Sequence, residues 1–178
     1  MVVEYERIFR YGYKPPKAVM KPAGTTTYDK HKSFLQTAMM PGFLHNKGQG
    51  GDDLLQIWQS ISEYNETLET RLVRLEYGAE GVMIAYMDSD STITLKRLEK
   101  CLLSISGGED YKCLSLASKL LGQRLVVPMS VRFEWDEMNN RISSMHYEPD
   151  FLTPLLKILG NLEETTRVLN STMAYPNL

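Results

Sequence analysis

Two cysteines, Cys101 and Cys113, are the only thiols among 178 residues, which excludes a disulfide-dense scaffold and a four-cysteine metal site. Both fall in apolar helical patterns and read as small reduced core residues, so a reducing compartment is expected: cytoplasm, nucleus or organelle interior. No apolar run approaches the roughly 20 residues a membrane helix needs. The first ten residues, MVVEYERIFR, carry two glutamates and no apolar core, unlike a secretory leader. The glycine-rich stretch HNKGQGG (residues 45–51) lacks a preceding strand pattern and any GKS or GKT, so it does not read as a phosphate-binding loop. His31 and His45 have no cysteine or carboxylate at ligand spacing, and no Ser/His/Asp or Cys/His motif is present. The expectation is no metal and no cofactor.

What the chain has is an ordinary globular composition, 43% hydrophobic and 24% charged. Its net charge of −2 is unevenly spread, because residues 1–50 hold eight Lys/Arg against three Asp/Glu. The basic part also holds Tyr11-Gly12-Tyr13-Lys14-Pro15-Pro16 and Lys21-Pro22-Ala23-Gly24. Proline removes a backbone donor and disfavours helix at the residue before it. Residues 1–27 therefore read as an extended basic arm, with residues 28–178 as the folded domain. The arm's charge is too sparse for nucleic acid, so its expected use is docking on a protein partner through Arg10, Tyr11, Tyr13, Lys14, Lys17 and Lys21.

The strongest structural signal is QRLVVPMSVRFEWD, residues 123–136, in which Leu125, Val127, Met129, Val131, Phe133 and Trp135 take every second position. A period of two predicts one long strand with an apolar and a wet face, long enough to bend a sheet. Phe34, Leu35, Ala38 and Met39 form a helical stripe that Pro41-Gly42 ends; a second helix carries Leu54, Leu55, Ile57, Trp58 and Ile61. Residues 68–77 and 82–88 form a hairpin around Gly78-Ala79-Glu80-Gly81, and two helices follow through Leu98 and Leu114. The long strand reverses at Glu137-Met138-Asn139-Asn140 into residues 141–147, and two leucine-rich helices close the chain. The fold class is α+β: helices on one face of a curved antiparallel sheet, shaped as a cone, plus the arm.

Certain short patterns carry a family resemblance. They are Phe9-Arg10-Tyr11-Gly12-Tyr13; Leu54, Leu55, Trp58, Ser60 and Tyr64; Leu120-Leu121-Gly122-Gln123; Phe133-Glu134-Trp135-Asp136; and Arg141, Ile142, Asp150 and Leu155-Leu156. Together they resemble the nuclear-transport-factor-two-like (cystatin-like α+β cone) domain at the C-terminus of oomycete and diatom basic leucine-zipper regulators. The chain shows no basic helix and no leucine heptads, and four prolines or glycines in residues 14–27 would break a zipper. The resemblance thus implies the fold and a sensing or docking module, not DNA reading.

Enzymes of this fold place an Asp, His or Tyr inside the cone, so His146 and Asp88 are the candidates for acid/base chemistry. On the last strand His146 shares a face with Ile142 and Glu148, while Met145 and Tyr147 share the other. Trp58, Tyr86, Phe133 and Trp135 are the candidate pocket aromatics. Three functions follow. One is a non-enzymatic interaction or accessory subunit, docking through the arm and the sheet face, with a homodimer also possible for this fold. Another is binding, or acid/base conversion, of a small apolar ligand in the cone, and a regulatory domain of a transcription-factor-like protein is the third alternative.

Overall fold

The computed structural model describes residues 1–15, 29–102 and 110–173, with the side chains of 100–102, 110–113 and 171–173 left out. Lys17 and Lys21, and the thiols of Cys101 and Cys113, lie outside what is described.

The first element corrects the arm. Val2–Phe9 is a helix, α1, because Val2, Tyr5 and Phe9 make one stripe at spacings of three and four. Glu4–Arg7 and Glu6–Arg10 pairs brace its other side. Val2, Tyr5 and Phe9 are buried in the same core as the sheet, so residues 1–13 belong to the folded domain. Lys30–Ala38 forms α2, capped by the Asp29 carboxylate, which accepts from the His31 and Lys32 amides.

Met39–His45 is a strand, β1, where the sequence reads a helix end and a loop. Its Pro41-Gly42 pair falls in the irregular stretch between Met39 and Leu44, where the ladder is interrupted and a missing donor costs little. Gly48–Gln49 (β2) pairs back on it, so the glycine-rich stretch does follow a strand. Gly51–Tyr64 is α3. Glu69–Tyr77 (β3) and Val82–Thr92 (β4) form the expected hairpin, β4 running four residues past the predicted end. Leu95–Leu102 (α4) and Asp110–Leu120 (α5) lead into the long strand Arg124–Asp136 (β5). Arg141–Pro149 (β6), Leu152–Leu159 (α6) and Leu162–Met173 (α7) complete the order.

Among the described residues, six strands lie in the order β2-β1-β6-β5-β4-β3. All pairings are antiparallel except β1 with β6, so the sheet is mixed rather than purely antiparallel. The alternation in β5 behaves as its pattern predicts: Leu125, Val127, Val131 and Phe133 are buried. Among the described residues the core falls into two clusters. One joins α1, α2 and α3 to the concave sheet face; the other joins α4–α7 to Ile93, Leu125 and Val127.

A bulge decides the facing of β6. Glu134 pairs with Ser144 but Trp135 pairs with Ile142, which leaves Ser143 as the extra residue. Ile142, fully buried, therefore joins Met145 on the inner side, while His146 is exposed opposite Arg132. The expected sharing of a face by His146 and Ile142 is thereby corrected.

Candidate functional site

Between α1, α3 and the concave sheet lies a cavity of about 110 Å³. Its walls are mostly apolar, from Phe9 and Trp58 on the helical side to Met87, Val131 and Met145 on the sheet. α1 roofs it. Tyr5 meets Phe9 at 4.8 Å between ring centroids, Phe9 stacks on Trp58 at 5.2 Å, and the Trp58 indole N–H donates to Tyr5 Oη at 2.9 Å. Burial pushes the Tyr5 phenol far above its usual pKa, against the Trp58 hydrogen bond and helped by the nearby Tyr147, so it stays protonated.

The roof is latched at Gly12 and Tyr13. Gly12 adopts φ +73°, open to glycine, and its amide donates to Phe9 O at 2.9 Å. The Tyr13 amide donates to Ser62 Oγ at 2.7 Å, and that hydroxyl donates to Trp58 O at 2.7 Å. Arg10 O accepts from the Thr70 amide at 2.7 Å, and Tyr13 Oη donates to Asp29 at 2.9 Å. Burial, with the Asp29 carboxylate beside it, lifts the Tyr13 phenol to about 12. The serine joining the two motifs is Ser62, four residues after Trp58, not Ser60.

Polar side chains gather at one part of the cavity. Ser89 and Ser91 continue the inward row of Ala85 and Met87 along β4, and Thr70 is the cross-strand partner of Ser89. Arg97, from α4, donates to Asn65 Oδ1 at 2.7 Å and to Ser91 Oγ at 3.1 Å. Glu6 enters from α1, held by Arg10 at 2.8 and 3.2 Å. Across the sheet, Tyr147 lines the same cavity, its phenol raised by burial.

Residues 1–64 match the family model of the BZIP transcription factor 1 C-terminal domain, and that span contains both latched motifs. A SnoaL-like polyketide cyclase from Agrobacterium tumefaciens aligns at a TM-score of 0.51 with 14% identity, over 72% of this chain and 85% of that chain. This chain has the nuclear-transport-factor-two-like α+β cone fold. TsrD from Streptomyces laurentii aligns at a TM-score of 0.47 with 17% identity, over 72% of this chain and 82% of that one. At these identities the likeness concerns the fold alone. No curated protein matches the sequence.

Of the four candidate aromatics, the cone brings Trp58 to the cavity. Phe133 is fully buried behind it, edge-on to Tyr5 at 5.7 Å, and Trp135 packs at the rim of the core. Tyr86 lies on the outer face under the Arg74 guanidinium, 4.1 Å from the ring centroid, and donates to Glu76. Asp88 and Glu148 share a shallow depression with it on that face, so neither Asp88 nor His146 points into the cone. Parity explains this: inward positions on β4 are odd-numbered, and the Ser143 bulge fixes β6. The docking set is divided. Arg10 and Tyr13 are committed to the latch, whereas Tyr11 and Lys14 are exposed. Tyr5, Thr70, Ser89, Ser91, Arg97 and Tyr147 escape a reading for catalytic motifs; continuing the inward rows of β4 and β5 would have found the serines and little else.

Among the described residues no helix is long and apolar enough to cross a membrane, and no group of three His, Cys, Asp or Glu could hold a metal ion.

Proposed function

We propose that this chain is a ligand-sensing regulatory domain, in which the cone holds a small, largely apolar molecule and α1 reports its presence. The cavity under α1 is the observation that carries the reading. Its lining favours holding over conversion, because no histidine lines it and its carboxylate, Glu6, is forked to Arg10. The match of residues 1–64 to the C-terminal domain of a transcription factor supports a regulatory role over a metabolic one. α1 is suited to signalling: it closes the cavity and is tied to the body by the Gly12–Ser62 latch.

The test is native mass spectrometry of the protein from its own source beside the recombinant chain, with a small-fragment thermal-shift screen on the latter. A retained small mass, or fragments that raise the transition and protect α1 from protease, is the expected result. An empty protein that no fragment stabilises refutes it.

A second reading, a subunit that docks a protein partner, is favoured by Leu152, Leu156 and Leu162, exposed at 45%, 37% and 62% on α6 and α7. Under it the native sample appears as a stoichiometric complex, and charged substitutions at Leu152 and Leu156 release the partner.

A further inference from the structure

Among the described residues, two hydroxyls that line the cone have no protein partner. Thr70 is 4% exposed and its Oγ1 is buried and unbonded; the Tyr147 hydroxyl is likewise buried and unbonded. Both residues line the cavity. Folded proteins rarely leave such groups unsatisfied, since a buried hydroxyl without a partner forfeits its hydration.

Their positions in the sheet are far apart. Thr70 pairs with Ser89, Ser89 with Val127, and Tyr147 with Val131. The two therefore stand on strands separated by β4 and β5, and four positions apart along β5. On a flat sheet that is roughly 14 Å across and 13 Å along. Curling of the sheet and inward reach of the side chains bring the hydroxyls closer than the backbone register alone sets them. Between them the wall is Met87, Met129 and Val131.

The charges that line the cavity come in both signs and are engaged: Glu6 with Arg10, Arg97 with Asn65 and Ser91. An anion would meet Glu6 and a cation Arg97. The volume, about 110 Å³, gives room for roughly seven to eleven water-sized groups at about 10–15 Å³ each.

Building on the ligand-sensing reading, we propose that the cone's occupant is an elongated, uncharged molecule of about ten non-hydrogen atoms. It carries a hydrogen-bonding oxygen at each end, one received by Thr70 and the other by Tyr147.

The experiment is calorimetric titration of the full chain with three probes of nearly equal length: 1,8-octanediol, 1-octanol and octanoate. The diol is expected to bind at least tenfold tighter than the alcohol, because its second hydroxyl keeps a partner on leaving water. Thr70→Val and Tyr147→Phe should each weaken the diol about tenfold, whereas 1-octanol, which can turn its one hydroxyl to the end that remains, should weaken by no more than about twofold. Both variants should melt at or above the wild-type temperature, since each deletes a buried hydroxyl that has no protein partner. An alcohol that binds as tightly as the diol would mean that water or nothing meets the second hydroxyl. That overturns the two-ended occupant and leaves the sensing reading standing. Tightest binding by octanoate overturns it in favour of an anion. If none of the three binds, the two-ended occupant is refuted, and the fragment screen decides the underlying reading separately.

Discussion

Replacing Gly12 by alanine places a methyl group 2.1 Å from Ser62 Oγ, at a backbone φ of +73°. Two costs follow. A side chain in the left-handed region costs roughly 1–2 kcal/mol. Displacing Ser62 strips the Tyr13 amide of its acceptor in a buried setting, about 1–3 kcal/mol more. The sum, about 3 kcal/mol, is a fall in Tm of roughly 6–12 °C for a chain of this size. Ser62→Ala should cost about 1–3 kcal/mol, for it removes the acceptor without the clash. The double variant should then cost about as much as Gly12→Ala alone, because the lost hydrogen bond is counted once in the pair. Urea denaturation followed by near-ultraviolet circular dichroism measures all three, with proteolysis at α1 as the local readout. A Gly12→Ala variant within about 0.5 kcal/mol of wild type, or strict additivity in the pair, would refute the latch.

Other outcomes follow from the same geometry. Tyr5→Phe removes the acceptor of the Trp58 indole N–H and should destabilise by about 1–2 kcal/mol, with a shifted Trp58 emission; unchanged emission would place the indole elsewhere. The Tyr13 phenol, lifted to about 12 against an ordinary value of 10, contributes stability that is whole below pH 10 and drains away as pH rises toward 12. Tyr13→Phe should flatten that alkaline limb in a stability-against-pH curve. Leu54→Ala, at 1% exposure on the cavity wall, should cost about 2–5 kcal/mol and be partly rescued by a small apolar ligand, as read by thermal shift. Gly81→Ala, whose Cβ would lie 3.0 Å from Trp135 O at φ +76°, should lose roughly 1–2 kcal/mol in urea titration, and a neutral result would mean that the hairpin end yields.

The sheet's central elements are legible because their patterns are long. β5 alternates over its whole length, and its partners carry turn residues at each reversal, so the existence of these strands, and for β5 the inner face as well, follow from local pattern alone. α1 was there to be read in Val2, Tyr5 and Phe9; the prolines at 15 and 16 draw the whole N-terminus toward an extended reading, though they act only on residues near them. β1 is harder, since Pro41-Gly42 is an ordinary breaker pair and the parallel partner that makes it a strand lies about a hundred residues away. Ser62 shows a different limit. Its four-residue spacing from Trp58 is plain in the chain, but its role depends on the Gly12–Tyr13 turn arriving from the far side of the fold.

By itself the sequence determined the alternation of helices and hairpins, the curved α+β architecture and the apolar face of β5, since these rest on local periodicity and turn chemistry. Tertiary structure alone decided that α1 roofs the cone, that the Ser143 bulge turns His146 outward, and that Thr70, Ser89, Ser91, Asn65 and Arg97 meet. Those outcomes depend on which distant strands pair and in what register, and no local pattern carries a register between residues so far apart.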